Sequence, residues 1–199
     1  MKKFIYIFFI LAATVLYCAD KVEDITLKSC VTFNTLCSKC HEGECSGRLA
    51  FNEGSEKSTY HIKRYAENDD ISNNEIKEFF TLLNFMKKEC LLFMPEDINY
   101  NQHKLESFAT TTFKEYFIPL GVLKKGNYSI SIRTKEDVSF RMELISKHFD
   151  SYLDITIYES IKKKEFEFKI GKDTNYFLRI KSKKPLYFDI LEINKVSTK

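Results

Sequence analysis

The sequence predicts a multidomain α + β chain: a small all-α domain over residues 24–105, then an antiparallel, jelly-roll-like β-sandwich over 110–199. Three observations predict it. Ser72 and Glu75 form a capping-box pair ahead of apolar residues at helical spacing. From about residue 110 the apolar residues alternate instead, in short runs split by turn residues. Ahead of both stands Cys37-Ser38-Lys39-Cys40-His41, a C-x-x-C-H segment whose spacing suits one helical turn.

At the N-terminus, residues 1–19 are expected to be a secretory signal. Lys2 and Lys3 supply the basic start, and residues 4–16 run apolar with two Ala and one Thr. The run is too short to favour a spanning helix, and Asp20, Glu23 and Asp24 follow at once. Cleavage is expected after Ala19. Cys18 raises lipid anchoring as the alternative, but Tyr17 stands where a small residue is wanted, so soluble export is the expectation. The chain carries 31 basic and 28 acidic residues, a net +3; removing the leader takes two lysines and no acid and leaves +1 (29 against 28). That balance makes no case for nucleic acid or an acidic membrane as partner. About 180 residues remain, enough for two small domains.

C-x-x-C-H is the attachment signature of haem c. The two thiols can each add across a haem vinyl group, and His41 can offer its imidazole to the iron. With 6 Cys and 4 His in the chain, such a pattern arises by accident on the order of a few times per thousand chains. From these residues the chain resembles the c-type cytochromes. The resemblance implies one covalent haem c per chain on Cys37, Cys40 and His41, attached outside the cytoplasm, in the periplasm. A different use of the same residues stays open: a zinc site or disulfides drawing on Cys30, Cys37, Cys40 and Cys45 or His41.

Residues 28–41 should form the first helix, with Phe33 on the face of Cys37, four residues on. An aromatic there is common in the cytochromes this chain resembles. Glu42-Gly43 departs mildly from the family, which has Gly directly after the His. Residues 43–60, punctuated by Gly43, Gly47 and Gly54, read as a loop. From Ser72 to about Cys90, Ile76, Phe79, Phe80, Leu83 and Met86 mark an amphipathic helix whose apolar face should meet the Phe33 helix.

Leu91-Leu92-Phe93-Met94-Pro95 follows. The resemblance implies Met94 as the sixth iron ligand, a soft sulfur that raises the potential. The bland alternative is core packing, because Met fills gaps readily. The position also departs from the family, whose ligand Met usually precedes the closing helix; a short helix near residues 101–108 is the candidate closer. His61, His103, Met86 or an open site rival Met94. Outside the motif, the mature chain keeps Cys30, Cys45 and Cys90; a Cys45–Cys90 bridge is one pairing among several.

Seven β-rich runs follow, at 113–120, 128–133, 138–145, 153–158, 166–170, 176–180 and 186–193. Gly126-Asn127 and Gly171-Lys172-Asp173 are the clearest turns. Their order loosely resembles the bacterial pre-peptidase C-terminal module. The Lys runs at 124–125, 162–164 and 183–184 read as solvated tips. His148 stands alone, with no Ser-His-Asp or Cys-His set around it. The expected function is one-electron transfer by an electron carrier rather than a stand-alone enzyme. Its partners would be periplasmic redox proteins or an oxidoreductase complex, with membrane association only through Cys18 or a membrane complex. The sandwich would serve docking. Two alternatives belong to other classes: a five-coordinate haem enzyme or sensor, and a non-haem exported binding protein with a zinc or disulfide cluster.

Overall fold

A computed structural model describes residues 25–41, 55–65, 71–95, 98 and 104–196. The leader, Cys18, Cys45 and His103 therefore lie outside the described residues, and so does the Cys45–Cys90 pairing. All seven expected strands form: β1 (Glu115–Leu123), β2 (Gly126–Thr134), β3 (Phe140–Ser146), β4 (Ser151–Ile157), β5 (Lys164–Ile170), β6 (Thr174–Ser182) and β7 (Phe188–Val196). They build two antiparallel sheets, β1-β6-β3-β4 and β5-β2-β7. Chain-distant strands pair in both, β1 with β6 and β2 with β7, as a jelly-roll-like wrap requires.

Alternation assigns the two faces of each strand. In the four-stranded sheet, Tyr116, Ile118, Met142, Leu144, Leu178 and Ile180 share one face in register and are buried. That face meets the second sheet: Tyr116 and Phe140 each place a ring edge against Phe188 of β7. Ile130, Ile132, Phe168 and Leu191 answer from the facing sheet. Tyr116 carries its hydroxyl into this apolar layer and donates it to the Leu186 carbonyl, which removes the cost of burying it. Pro119, which has no N–H to give a ladder, sits in edge strand β1. The register shifts just beyond it, where Gly121 takes φ +72°, a conformation glycine adopts without strain.

The other face of the four-stranded sheet is buried as well. Phe117 and Phe177 stack there at 5.0 Å, with Glu143 and Arg179 beside them. Helices cover them. The first runs as α1 (Leu27–Thr32), a π-helical turn Phe33–Cys37 and α2 (Ser38–His41). Thr26 caps its start. Next come α3 (Ser55–Tyr65) and α4 (Asn73–Glu89). The capping box is present in full: Ser72 accepts from Glu75 N–H, and the Glu75 carboxylate accepts from Ser72 N–H. Ile76, Phe79, Leu82 and Met86 form its buried stripe. At its end Cys90 turns left-handed (φ 50°) and its N–H returns to the Met86 carbonyl. Phe79 meets Phe33 at 6.4 Å, as the sequence leads one to expect.

Two readings need correction. Residues 55–60, read as loop, belong to α3; the glycines that argued for a loop all precede Ser55. The short closer near 101–108 is a single 3-10 turn, Leu105–Phe108, within the described residues. Of the expected architecture the antiparallel sandwich is shown, and a distinct all-α domain is not. The chain is an antiparallel sandwich with short helices laid on one sheet, and their apolar residues join one core with the sandwich. The Leu92 N–H donates to the Lys147 carbonyl beyond β3, across the expected boundary between 105 and 110.

Stability should follow this layering. Ile130→Ala empties the sandwich core and should cost about 2–5 kcal/mol in denaturant unfolding, against about 1 kcal/mol for Ser72→Ala, which removes one cap. The reverse order would count against the sandwich as the main source of stability.

Candidate cofactor-binding site

Helix position fixes the motif. Val31, Phe33, Asn34, Thr35 and Ser38 are buried, a stripe at three- to four-residue spacing that faces α4 and the sheet. The π turn falls between Phe33 and Cys37, where the Ser38 N–H reaches the Phe33 carbonyl. Such bulges recur at functional sites. Polar side chains on this buried face bond locally: the Thr35 hydroxyl to the Val31 carbonyl at 2.9 Å and the Ser38 hydroxyl to the Asn34 carbonyl at 2.8 Å. The helix start is tied to α4 by Thr26 on Glu78 (2.8 Å) and Lys28 on Glu75 (2.8 Å).

Within the motif the two cysteines differ. Both are free thiols, Cys40 exposed and Cys37 half-buried. Burial above all, then the Cys40 and Glu115 charges, pushes the Cys37 thiol up to about 12. The backbone of His41 closes α2; its side chain lies outside the described residues. Cys30 is fully buried, and burial with the nearby Glu78 carboxylate pushes it to about 12 as well.

These facts bear on the zinc alternative. Cys30 and Cys37 lie seven positions apart on the helix, a rise of about 10 Å, whereas two ligands of one tetrahedral zinc stand less than ~4 Å apart. A zinc site containing both is therefore excluded by the helix itself. Among the described residues no group of three or more His, Cys, Asp or Glu gathers for a metal ion.

Met94 is buried in an extended segment. It lines a groove of about 610 Å³ with Phe85, Phe93, Pro95, Pro119 and Phe177. Asn34 Nδ2 donates to the Phe93 carbonyl at 3.0 Å, so the Met94 segment is fastened to the motif helix one turn before Cys37. Among the described side chains, none of the motif's lines the groove. Of the rivals, Met86 is buried in α4 and His61 is exposed on α3.

One further set of residues touches the motif. Arg179 on β6 donates from Nη2 to Ser38 Oγ at 3.0 Å and pairs through Nη1 with Glu143 Oε2 at 3.3 Å. Neither residue was singled out from the sequence. The signal was there: a lone Arg inside Tyr176-Phe177-Leu178-Arg179-Ile180 and a lone Glu inside Met142-Glu143-Leu144-Ile145, charges in runs buried on both faces.

No known family and no curated protein matches the sequence. Solved structures give only partial likenesses. One titled "CBM4 structure and function" has a TM-score of 0.32 and 13% identity over 44% of this chain and 64% of that one. A CBM35 module from Cellvibrio japonicus has a TM-score of 0.31 and 7% identity, over 44% and 71%. A family GH115 4-O-methyl-α-glucuronidase has a TM-score of 0.35 and 10% identity, over 71% and 25%.

The cysteines can be told apart chemically. In chain produced without haem, iodoacetamide at pH 8 should alkylate the exposed Cys40 well before Cys37, whose thiol, pushed up to about 12, is then about one part in ten thousand thiolate. The Cys37 rate should climb about tenfold per pH unit towards 11. Equal rates by mass spectrometry would show Cys37 unprotected.

Proposed function

We propose that this is an exported c-type cytochrome-like electron carrier in which Cys37 and Cys40 hold one haem c and His41 ligates its iron. The observation that carries the reading is the placement of two free thiols and a histidine within five helical positions, on a helix that meets α4 at Phe33 and Phe79. The donor set fits the group. Each thioether forms as S–H adds across a vinyl C=C, sulfur to one carbon and hydrogen to the other. That addition needs free thiols, and Cys37 and Cys40 form no disulfide with each other. Bound haem supplies a one-electron ferric/ferrous couple. The protein's part is to fix the ligands and exclude water, and the Phe33–Phe79 contact and the buried Val31 support a dry floor beneath the motif.

In this reading Met94, next to the Phe93 carbonyl that the Asn34 side chain ties to the motif helix, would offer its thioether sulfur to the iron. The haem domain is then the helical part up to about residue 105, built onto the sandwich. The compartment is the periplasm, and the partners are redox proteins or an oxidoreductase complex meeting the exposed Cys40 side through a small, transient interface. Lipid anchoring at Cys18 would place the same chemistry at a membrane.

A second reading, a five-coordinate haem enzyme or sensor, is favoured by one observation: Met94 lines a groove that the described motif side chains of Cys37, Ser38 and Cys40 do not line. A vacant sixth position binds peroxide or a diatomic gas.

The deciding measurement is the optical spectrum of periplasmically expressed chain, made with haem maturation factors, oxidised and then reduced. Sharp reduced bands with a weak far-red oxidised band are expected. Met94→Ala should abolish the far-red band and leave haem covalently retained after denaturation, whereas His41→Ala should lose the low-spin spectrum altogether. A high-spin ferric spectrum in the wild type would select the second reading, and a colourless protein would overturn both.

A further inference from the structure

The sandwich reaches into the motif at one point. Arg179 and Glu143 stand directly opposite each other on β6 and β3, both buried. The second oxygen of Glu143 takes Arg141 Nη2 at 2.9 Å, and Arg141 is in turn held by Asp154, Nε to Oδ1 at 2.7 Å. A row of alternating charges thus crosses the outer face of the sheet and ends at Ser38. Ser38 is the residue after Cys37. Its hydroxyl accepts from Arg179 and donates to the Asn34 carbonyl, so the turn bearing both cysteines is gripped from the sheet.

Burying a guanidinium is costly unless it is paired and hydrogen-bonded, and apolar packing alone would hold a helix on this face as well. What the charged arrangement adds is a fixed cation and a fixed direction at one residue of the motif. We infer that Arg179 is a positioning residue of the Cys37–Cys40 site, acting through Ser38 and held by Glu143, so that the sandwich is part of the cofactor site rather than a separate docking module. The inference rests on the haem reading above. Two consequences have the same sign. The Arg179–Glu143 pair turns its cationic end to Ser38, which favours the reduced, less positive form of the bound group, though less than a lone cation, and a gripped turn keeps water out. Both raise the potential.

The test is a redox titration of the full chain carrying its covalent haem, with haem retention after denaturation scored alongside. Arg179→Gln should keep covalent haem and move the midpoint potential to more negative values; Arg179→Lys, which restores the charge without the forked contact, should recover part of the shift. Ser38→Ala keeps both charges and breaks only the grip. It should shift the potential the same way by less, and it serves if Arg179→Gln does not accumulate. A loss of thermal stability with an unchanged potential in either variant would make Arg179 a structural anchor only and overturn the inference, while the haem reading stands. Wild-type chain without covalent haem would overturn both.

Discussion

The arrangement hangs on the outer face of the four-stranded sheet. A sheet in a sandwich needs only one buried face, yet here Phe117, Phe177, Glu143 and Arg179 bury the other as well. Such a face is unstable in water and must be covered, so the chain before β1 is obliged to fold back onto it. The cover is the helix that carries C-x-x-C-H. The motif's position is thus set by β1 and β6 as much as by its own helix. The buried Arg179–Glu143 pair then fixes which way the helix lies: apolar surfaces slide on one another, whereas a guanidinium with one carboxylate and one hydroxyl to satisfy tolerates a single seat.

The same cover sets the chemistry available to the cysteines. One side of the helix is pressed towards the sheet and the other is open, and Cys37 and Cys40, three residues apart, divide between these environments. With no metal bound, a thiol in the drier position is a poor thiolate and so a slow disulfide-exchange nucleophile. Cys30, two turns earlier, is sealed entirely, and its spacing removes it from any site that Cys37 could build.

Most of the fold could be read from local pattern. The period-two runs gave all seven strands because one face of each is uniformly apolar, and Ser72 with Glu75 announced α4 because a capping box is a contiguous signal. The contact of Phe79 with Phe33 followed from the two stripes. What escaped was non-local or masked by composition. Helix α3 is polar nearly all round, with Ile62 buried among exposed neighbours, so periodicity had little to work on. The pairing of Ser38 with Arg179 spans 141 positions, and nothing beside Ser38 distinguishes it from any solvent-facing serine between two cysteines. The coverage of the sheet was visible only indirectly: β1 and β6 read as near-continuous apolar runs, the pattern of strands buried on both faces, where a sandwich with a bare outer face would alternate cleanly.

That double burial also governs how Met94 relates to the motif. The segment from Leu91 to Pro95 is held at two points, by Leu92 on the Lys147 carbonyl and by Asn34 on the Phe93 carbonyl. One tie belongs to the sheet and the other to the motif helix, so Met94 is suspended between them on backbone that neither helix nor strand fixes. A Met side chain has three rotatable bonds, and the groove beside it leaves them room to turn. The backbone ties hold Met94 in place while its side chain keeps its rotatable bonds. In the proposed reading Cys37 and Cys40 would hold the haem and His41 its iron, so Met94 would be recruited or released without moving either element.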